Sequence, residues 1–274
     1  MGRSDKSGIR RNAMMEHILA SPITTPGQLA EHFGVSTETV RKDLDYLVKK
    51  GKVHKIHGGV VAVEQQSYEK PHVLRSVENI EQKKRIAKAA CALIEPGDTI
   101  IIENGTTMDE LARSLCDNID LLSAITIITM SFRIADIFKN FEKLRLFFIG
   151  GWLRPGDLLA YGQYTLNILK DFNVDKAFIS GAGLNESLMV TDYFDEEVIL
   201  RRQIIKGAKH TILLMDSSKL YKTRLMNVCP VTDTHHLITD DGCSPWMKKA
   251  VEGAGVAVTL AKQEANGNEA SPSK

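Results

Sequence analysis

From residue 99 onward the chain repeats one device: a short, mostly apolar run followed by a stretch whose apolar residues recur at helical spacing. The runs occupy 99–103, 125–129, 144–149, 177–180, 211–215, 236–239 and 256–260. A strand covered on both faces reads as such a run, and helices between successive strands favour parallel pairing. The pattern predicts a mainly parallel, Rossmann-like α/β domain over 79–261. A helix at about 79–94 opens it, with Ile86, Ala89, Ala90 and Leu93 on its apolar side. In such a sheet, ligands collect beyond the carboxyl ends of the strands.

At 274 residues the chain is long for one domain and short for three. A small second domain therefore belongs in front, at 1–63. Three short helices can be read there. Met14, Met15, Ile18 and Leu19 form a stripe behind Arg10 and Arg11. Thr25, Pro26 and Gln28 are a start signal: a capping residue, proline at the first helical position and a capping-box partner three residues after the cap. Leu29, Ala30 and Phe33 follow, then Gly34.

Ser36 caps a third helix with Val40, Leu44, Leu47 and Val48 on one face and Thr37, Glu38, Thr39, Arg41 and Lys42 at its N-terminal end. In a helix-turn-helix that end meets the base edges. Arg41 suits a bidentate contact with guanine, and Lys42 a phosphate. After Gly51, the apolar residues Val53 and Ile56 alternate with Lys55 and His57 around Gly58-Gly59, which reads as a two-stranded wing beside the DNA backbone. Segment 64–78 reads as a connector and 262–274 as a disordered polar tail.

Charge supports this division. Residues 1–63 hold ten Lys/Arg against six Asp/Glu, while the remainder holds 25 against 28. The basic front is the part suited to approach a polyanion. Cys91, Cys116, Cys229 and Cys243 lack the close spacing of a zinc or redox motif and are expected as reduced thiols, with no metal and no cofactor. No apolar run approaches the ~20 residues of a membrane span, and Met1-Gly2-Arg3-Ser4-Asp5 has no apolar signal core. A cytoplasmic protein with no membrane partner is expected.

The first strand of the larger domain leads into Glu103-Asn104-Gly105-Thr106-Thr107 and a helix. Glycine permits a sharp turn, hydroxyls donate, and the free N–H groups of the new helix attract an anion. The same residues also serve as an ordinary turn and cap. Other strand ends bring Thr129 and Ser131, Gly151 and Arg154, Gly181, and Asp216-Ser217-Ser218-Lys219, where Lys219 is a cation suited to phosphate or sugar oxygen. Here too bland readings stay open: tight turns, a solvated Arg154, a capping Asp216.

The phrase at 35–44 followed by Leu47, Gly51 and His57-Gly58-Gly59 resembles the deoxyribose-operon repressor (DeoR) family of bacterial regulators. Its usual pattern, V-S-x-x-T-[IV]-R-[RK]-D-L then L, G and H-G-G, is matched at every fixed position. The resemblance continues to about Gly242. It implies a sensor domain folded like ribose-5-phosphate isomerase, glucosamine-6-phosphate deaminase and coenzyme A transferases. Such domains bind a phosphorylated sugar or related metabolite.

By the same resemblance, the family's phosphate loop falls on Glu103 to Thr107, its T-N-S on Thr129 to Ser131 and its G-G-x-[LF]-R on Gly150 to Arg154. Its T-x-x-[DE] segment falls loosely at Thr191-Asp192, and its D-S-S-K on Asp216 to Lys219. Glu103 stands where Asp is usual, Met130 where Asn is usual, and 180–184 lacks an Asn often found there.

The implied function is a repressor of a carbohydrate-use operon, not an enzyme. It acts as a homo-oligomer, dimer or tetramer, on a double-stranded DNA operator, and a phosphorylated sugar relieves repression. The alternative is a sugar-phosphate isomerase or deaminase with an accessory DNA-binding domain, using a base among Asp192, Asp195, Glu196 and Glu197. Against it, Asp195, Glu196 and Glu197 sit where acids favour a helix dipole without doing chemistry.

Overall fold

A computed structural model describes residues 3–19, 24–56, 59–62 and 69–263. The chain divides into two compact units, 1–71 and 72–274. In the first, helices α1 (Arg3–Leu19), α2 (Pro26–Phe33) and α3 (Thr37–Lys49) precede a hairpin of β1 (Val53–Ile56) and β2 (Gly59–Ala62). The start of α2 is the capping box that the sequence predicts: Thr25 Oγ1 accepts from the Gln28 amide at 3.1 Å, and Gln28 Oε1 accepts from the Thr25 amide at 2.9 Å. The Ser36 hydroxyl caps α3 through the Thr39 amide. Met14, Ile18, Leu29, Val40, Leu44, Leu47, Val53 and Val60 close a small core. The hairpin is antiparallel, with Ile56 opposite Gly59. Its turn residues, His57 and Gly58, lie outside the described residues, as does 264–274 of the expected tail.

The second unit begins earlier than its sequence pattern suggests. Part of the expected connector is helix α4 (His72–Val77), with His72 and Leu74 buried. Six residues are too few to display a helical period, which is why the segment reads as irregular. Then come α5 (Ile80–Cys91), β3 (Thr99–Ile102), α6 (Thr106–Cys116), α7 (Ile119–Ser123), β4 (Thr126–Thr129), α8 (Phe132–Phe138) and β5 (Arg145–Phe148). Hairpin β6 (Trp152–Arg154) and β7 (Leu159–Tyr161) leads to α9 (Gln163–Leu169), β8 (Val174–Ile179), β9 (Gly183–Leu184), β10 (Met189–Asp192) and α10 (Asp195–Gly207). The chain continues through β11 (Ala208–Leu214), β12 (Met226–Pro230), β13 (His236–Asp240), α11 (Pro245–Gly253) and β14 (Ala257–Ala261).

All seven runs become strands of one sheet, in the order β14-β13-β11-β8-β3-β4-β5, and every pairing in it is parallel. Alternate residues face opposite layers. Ile100, Ile102, Phe178, Ile212 and Ile238 pack against α5, α6 and α8, while Ile101, Ala177, Ile179, Leu213 and Leu237 pack against α10 and α11. The result is a three-layer α/β/α unit. After β3 the chain builds outward through β4 and β5, then returns to place β8 on the other side of β3. A doubly wound sheet binds ligands at such a reversal, because the loops there part in opposite directions.

Phe178 lies at the middle of this sheet and is fully buried. Phe178→Ala is expected to cost ~3–5 kcal/mol. Urea unfolding should show a lowered midpoint at unchanged slope, and a loss below about 1 kcal/mol would contradict the packing described.

Candidate functional site

On α3, Val40, Leu44 and Leu47 face the core, so the helix turns Ser36, Thr37, Glu38, Arg41 and Lys42 outward, with Thr39 half-buried. Lys42 pairs weakly with Glu38 one turn earlier at 3.5 Å. Arg41 has no partner among the described residues, leaving its fork of donors available. Asp43, next in the same phrase, behaves differently. It is 1% exposed, and its carboxylate accepts from Arg10 Nε at 2.6 Å and Arg11 Nε at 2.7 Å. Arg11 also lies over the Tyr46 ring. Asp43 thus ties α1 to the reading helix, a role the sequence does not reveal. Lys55 on the wing pairs with Asp45 at 2.5 Å, and Gly59 is buried at the start of β2.

In the second unit, β3 and β8 flank the chain reversal, and the loops after them touch. Glu103 Oε2 accepts from the Ser180 amide at 3.0 Å. Gly105 has a φ of +136°, and a Cβ on it would lie 3.9 Å from that of Ser180. This backbone, open to glycine and strained for other residues, starts α6 with no side-chain cap. The first main-chain bond into the helix comes from Asp109, so the amides of its opening turn face the loop. Asn104 Oδ1 and Thr107 Oγ1 are buried there without hydrogen-bond partners among the described residues. A buried polar atom left unpaired is costly, and both stand at a helix N-terminus suited to an anion.

Lys219 reaches the same corner: its ammonium donates to the Gly181 carbonyl at 2.9 Å and to Ser180 Oγ at 3.4 Å. Asp216 accepts from the Ser218 amide and from Asn79 Nδ2 at 3.1 Å. The loop thus brings together Asn104, Gly105, Thr106, Thr107, Gly181, Asp216 and Lys219.

The other predicted residues support this corner. Thr129 Oγ1 donates to the Ile102 carbonyl at 2.7 Å and accepts from the Ser131 amide; Ser131 in turn caps α8. At Gly151 a Cβ would lie 2.2 Å from Thr165 Oγ1 and 2.5 Å from the Tyr161 carbonyl, so close packing demands glycine. Arg154 pairs with Asp157 at 3.2 Å and with Glu197, and lies over the Phe194 ring.

Glu103 and Asp192 both turn toward Arg201, a residue the sequence reading missed. Its guanidinium, 1% exposed, meets Glu103 Oε1 at 2.8 Å, Asp192 Oδ2 at 2.5 Å and Glu197 Oε2 at 3.5 Å. The sole sequence trace is Glu197 one turn before Arg201 on α10. His72, also unflagged, meets Asp109 at 2.9 Å, joining α4 to α6. Burial pushes the Glu103 carboxyl up to about 7, outweighing the pull of Arg201. Glu197 is also raised, by burial and by Asp192.

Comparison with known proteins matches 10–66 to a DeoR-like helix-turn-helix domain and 78–241 to the DeoR C-terminal sensor domain. The chain belongs to the DeoR family. Relatives include the HTH-type transcriptional regulator YulB of Bacillus subtilis (strain 168), 32% identical over 85% of this chain and 88% of that protein. The regulator IolR of the same organism and the glycerol-3-phosphate regulon repressor of Escherichia coli (strain K12) are each 30% identical over 84% of this chain and 90% of their own length. Among solved structures, a ribose 5-phosphate isomerase from Methanocaldococcus jannaschii aligns at a TM-score of 0.40, with 21% identity, covering 52% of this chain and 55% of that one.

This DeoR-family chain is a transcriptional regulator that pairs a DNA-binding helix-turn-helix with a small-molecule sensor. Among its described residues no helix is long and apolar enough to cross a membrane. In the sensor, the Glu103 value of about 7 lies above its ordinary 4.5, so the fold holds that proton more tightly than the unfolded chain does. The stabilisation is complete below about pH 4.5 and is lost as pH rises through about 7. Glu103→Gln should remove this decline from the urea-unfolding free energy measured across that interval. An unchanged slope in the variant would refute the assignment.

Proposed function

We propose that this regulator is a repressor of a carbohydrate-use operon, released from DNA when a phosphorylated sugar occupies the loop at 103–107. It acts in the cytoplasm as a homo-oligomer, dimer or tetramer, on a double-stranded operator of repeated half-sites. Arg41 reads a base edge, and Lys42, Lys55 and the wing at 57–59 hold the backbone. Ser36, Thr37, Glu38 and Thr39 position this end of α3. The observation that carries the sensing half is the uncapped N-terminus of α6 with Asn104 and Thr107 unpartnered beside it and Lys219 adjacent. The name of the glycerol-3-phosphate repressor agrees with an organophosphate effector.

No cofactor or metal enters this reading, and the sensor is not an enzyme. The carboxylates of Asp192 and Glu197 that a sugar-phosphate isomerase would need as bases are engaged by Arg201, which supports a framework role instead. Release from DNA requires the ligand to favour the non-binding conformation by a difference in affinity.

Arg41→Ala is expected to cost ~1–3 kcal/mol at one operator position and to relax preference there, whereas Lys42→Ala weakens all sequences alike. Fluorescence anisotropy across single-base variants of an operator selected from random DNA separates the two. Uniform losses for both variants would remove Arg41 as the base reader. A panel of sugar phosphates should include one that, at 100-fold its Kd, stabilises the protein by roughly 2.7 kcal/mol, an effect lost in Thr107→Val. No response to any member would defeat the sensing half.

A further inference from the structure

At one edge of the seven-stranded sheet the molecule exposes a strip of aromatic side chains. β5 ends the strand order, so the side it turns away from β4 pairs with no strand among the described residues. The Ile149 amide donates to the Thr129 carbonyl. Main-chain groups alternate in direction along a strand, so those of Leu146 and Phe148 point outward. Chains commonly blunt such an edge with Lys, Pro or a bulge. Residues 146–149 hold neither Lys nor Pro, and the register of β5 with β4 runs without a shift.

Rings flank this edge on both faces of the sheet. Phe148 meets Phe132, from the start of α8, edge to face at 6.1 Å, and Phe147 meets Phe172 at 4.8 Å, yet Phe132, Phe147 and Phe148 all remain exposed. The Phe132 amide donates to the Leu158 carbonyl, which carries the strip onto hairpin β6–β7. There Trp152 is 70% exposed and Leu153 is exposed beside it. A Cβ on Gly162 would lie 3.0 Å from the indole Cδ1, so the turn into α9 is kept clear for a ring that faces water. Tyr164, two residues on, is 75% exposed. An aromatic side chain buries about 150–250 Å², so with Leu153 these residues present roughly 600 Å² of apolar surface. A monomer rarely exposes so large a patch, and a stable pair of proteins takes about 800 Å² from each partner. Charge is sparse as well: from 145 to 164 it is confined to Arg145, Arg154 and Asp157, and the last two pair with each other. Depletion of charge marks the centre of an interface.

We propose that this strip is the contact between two copies of the chain, their β5 strands pairing antiparallel about a two-fold axis normal to the sheet at Phe147. It supplies a surface for the homo-oligomer and rests on that reading. Leu146 of each copy then exchanges main-chain hydrogen bonds with Phe148 of the other, Phe147 faces Phe147, and two seven-stranded sheets join into one. A two-fold contact needs a surface that complements itself, and the charges here allow it. The two Arg145 side chains fall at opposite ends of the paired strands, ~13 Å apart at ~3.3 Å per residue, beyond the ~8 Å over which exposed charges act in physiological salt.

The test is sedimentation equilibrium of the full-length protein, with disulfide trapping as a second readout. Wild type is expected to associate at micromolar concentration. Phe147→Lys sets like charges face to face, and Trp152→Ser removes the exposed indole. Each should raise the dissociation constant about thirtyfold or more. Leu225→Ser, at an exposed apolar residue outside the strip, should leave it unchanged. Opposed residues of this kind have Cα atoms ~4.5 Å apart, within the ~4.4–6.8 Å that a disulfide spans. Phe147→Cys treated with oxidised glutathione should therefore form a covalent dimer above the wild-type background, and Arg145→Cys should not.

If wild type associates and Phe147→Lys and Trp152→Ser associate equally well, the copies meet elsewhere and the strip serves another partner, which overturns the proposal. Trapping of Phe147→Cys no faster than of Arg145→Cys overturns it as well, whether or not Phe147→Lys folds. A wild type that stays monomeric at tens of micromolar would instead bring down the homo-oligomer reading on which the proposal rests.

Discussion

A guanidinium withdrawn from water is stable only when its donors are met by acceptors and its charge by carboxylates. Arg201 satisfies that condition with Glu103 from the end of β3, Asp192 from the end of β10 and Glu197 from α10 itself. Through Glu103 it reaches the Ser180 amide after β8. The segments that part at the reversal of the sheet are thereby tied at their carboxyl ends, where loops would otherwise be free to separate. The geometry of Asn104, Gly105 and Thr107 depends on this tie, since Glu103 immediately precedes them.

The same arrangement extends outward in alternating charge. Glu197 also holds Arg154; Arg154 and Arg75 share Asp157. Arg75 lies on α4, which is joined to α6 through His72 and Asp109. Groups around the pocket and the helix that opens the second unit thus belong to one connected set. Removing a member leaves a neighbour's charge buried and unmatched, a larger loss than the net worth of any single pair.

What could be read from the sequence follows from these physical demands. The seven parallel strands were legible because burial on both faces leaves continuous apolar runs. The helix-turn-helix was legible because its caps need particular residues at fixed spacing. Hairpin β6–β7 and strands β9, β10 and β12 were not predicted; they are two to five residues long, too short to show alternation. The loop residues Gly105 and Lys219 stood out because strand ends concentrate them. Arg201 did not, because a basic residue on a helix reads alike whether it faces water or a carboxylate cage. Glu103 was marked as a ligand contact, whereas its oxygens are engaged by Ser180 and Arg201. Which partner a buried carboxylate takes is decided by packing across a sequence separation of 98 residues, beyond what local pattern can carry.

Asp43 has a consequence for how the reading head meets DNA. Binding to a duplex is driven largely by counterions released as basic side chains neutralise phosphates, and log affinity falls with log salt by about 0.9 per phosphate neutralised. Arg10 and Arg11 arrive already matched to the buried Asp43. A cation that must give up an internal carboxylate to gain a phosphate contributes little to that release. The front of the chain is therefore less sensitive to ionic strength than its basic composition implies, and more of its affinity rests on shape and base contact.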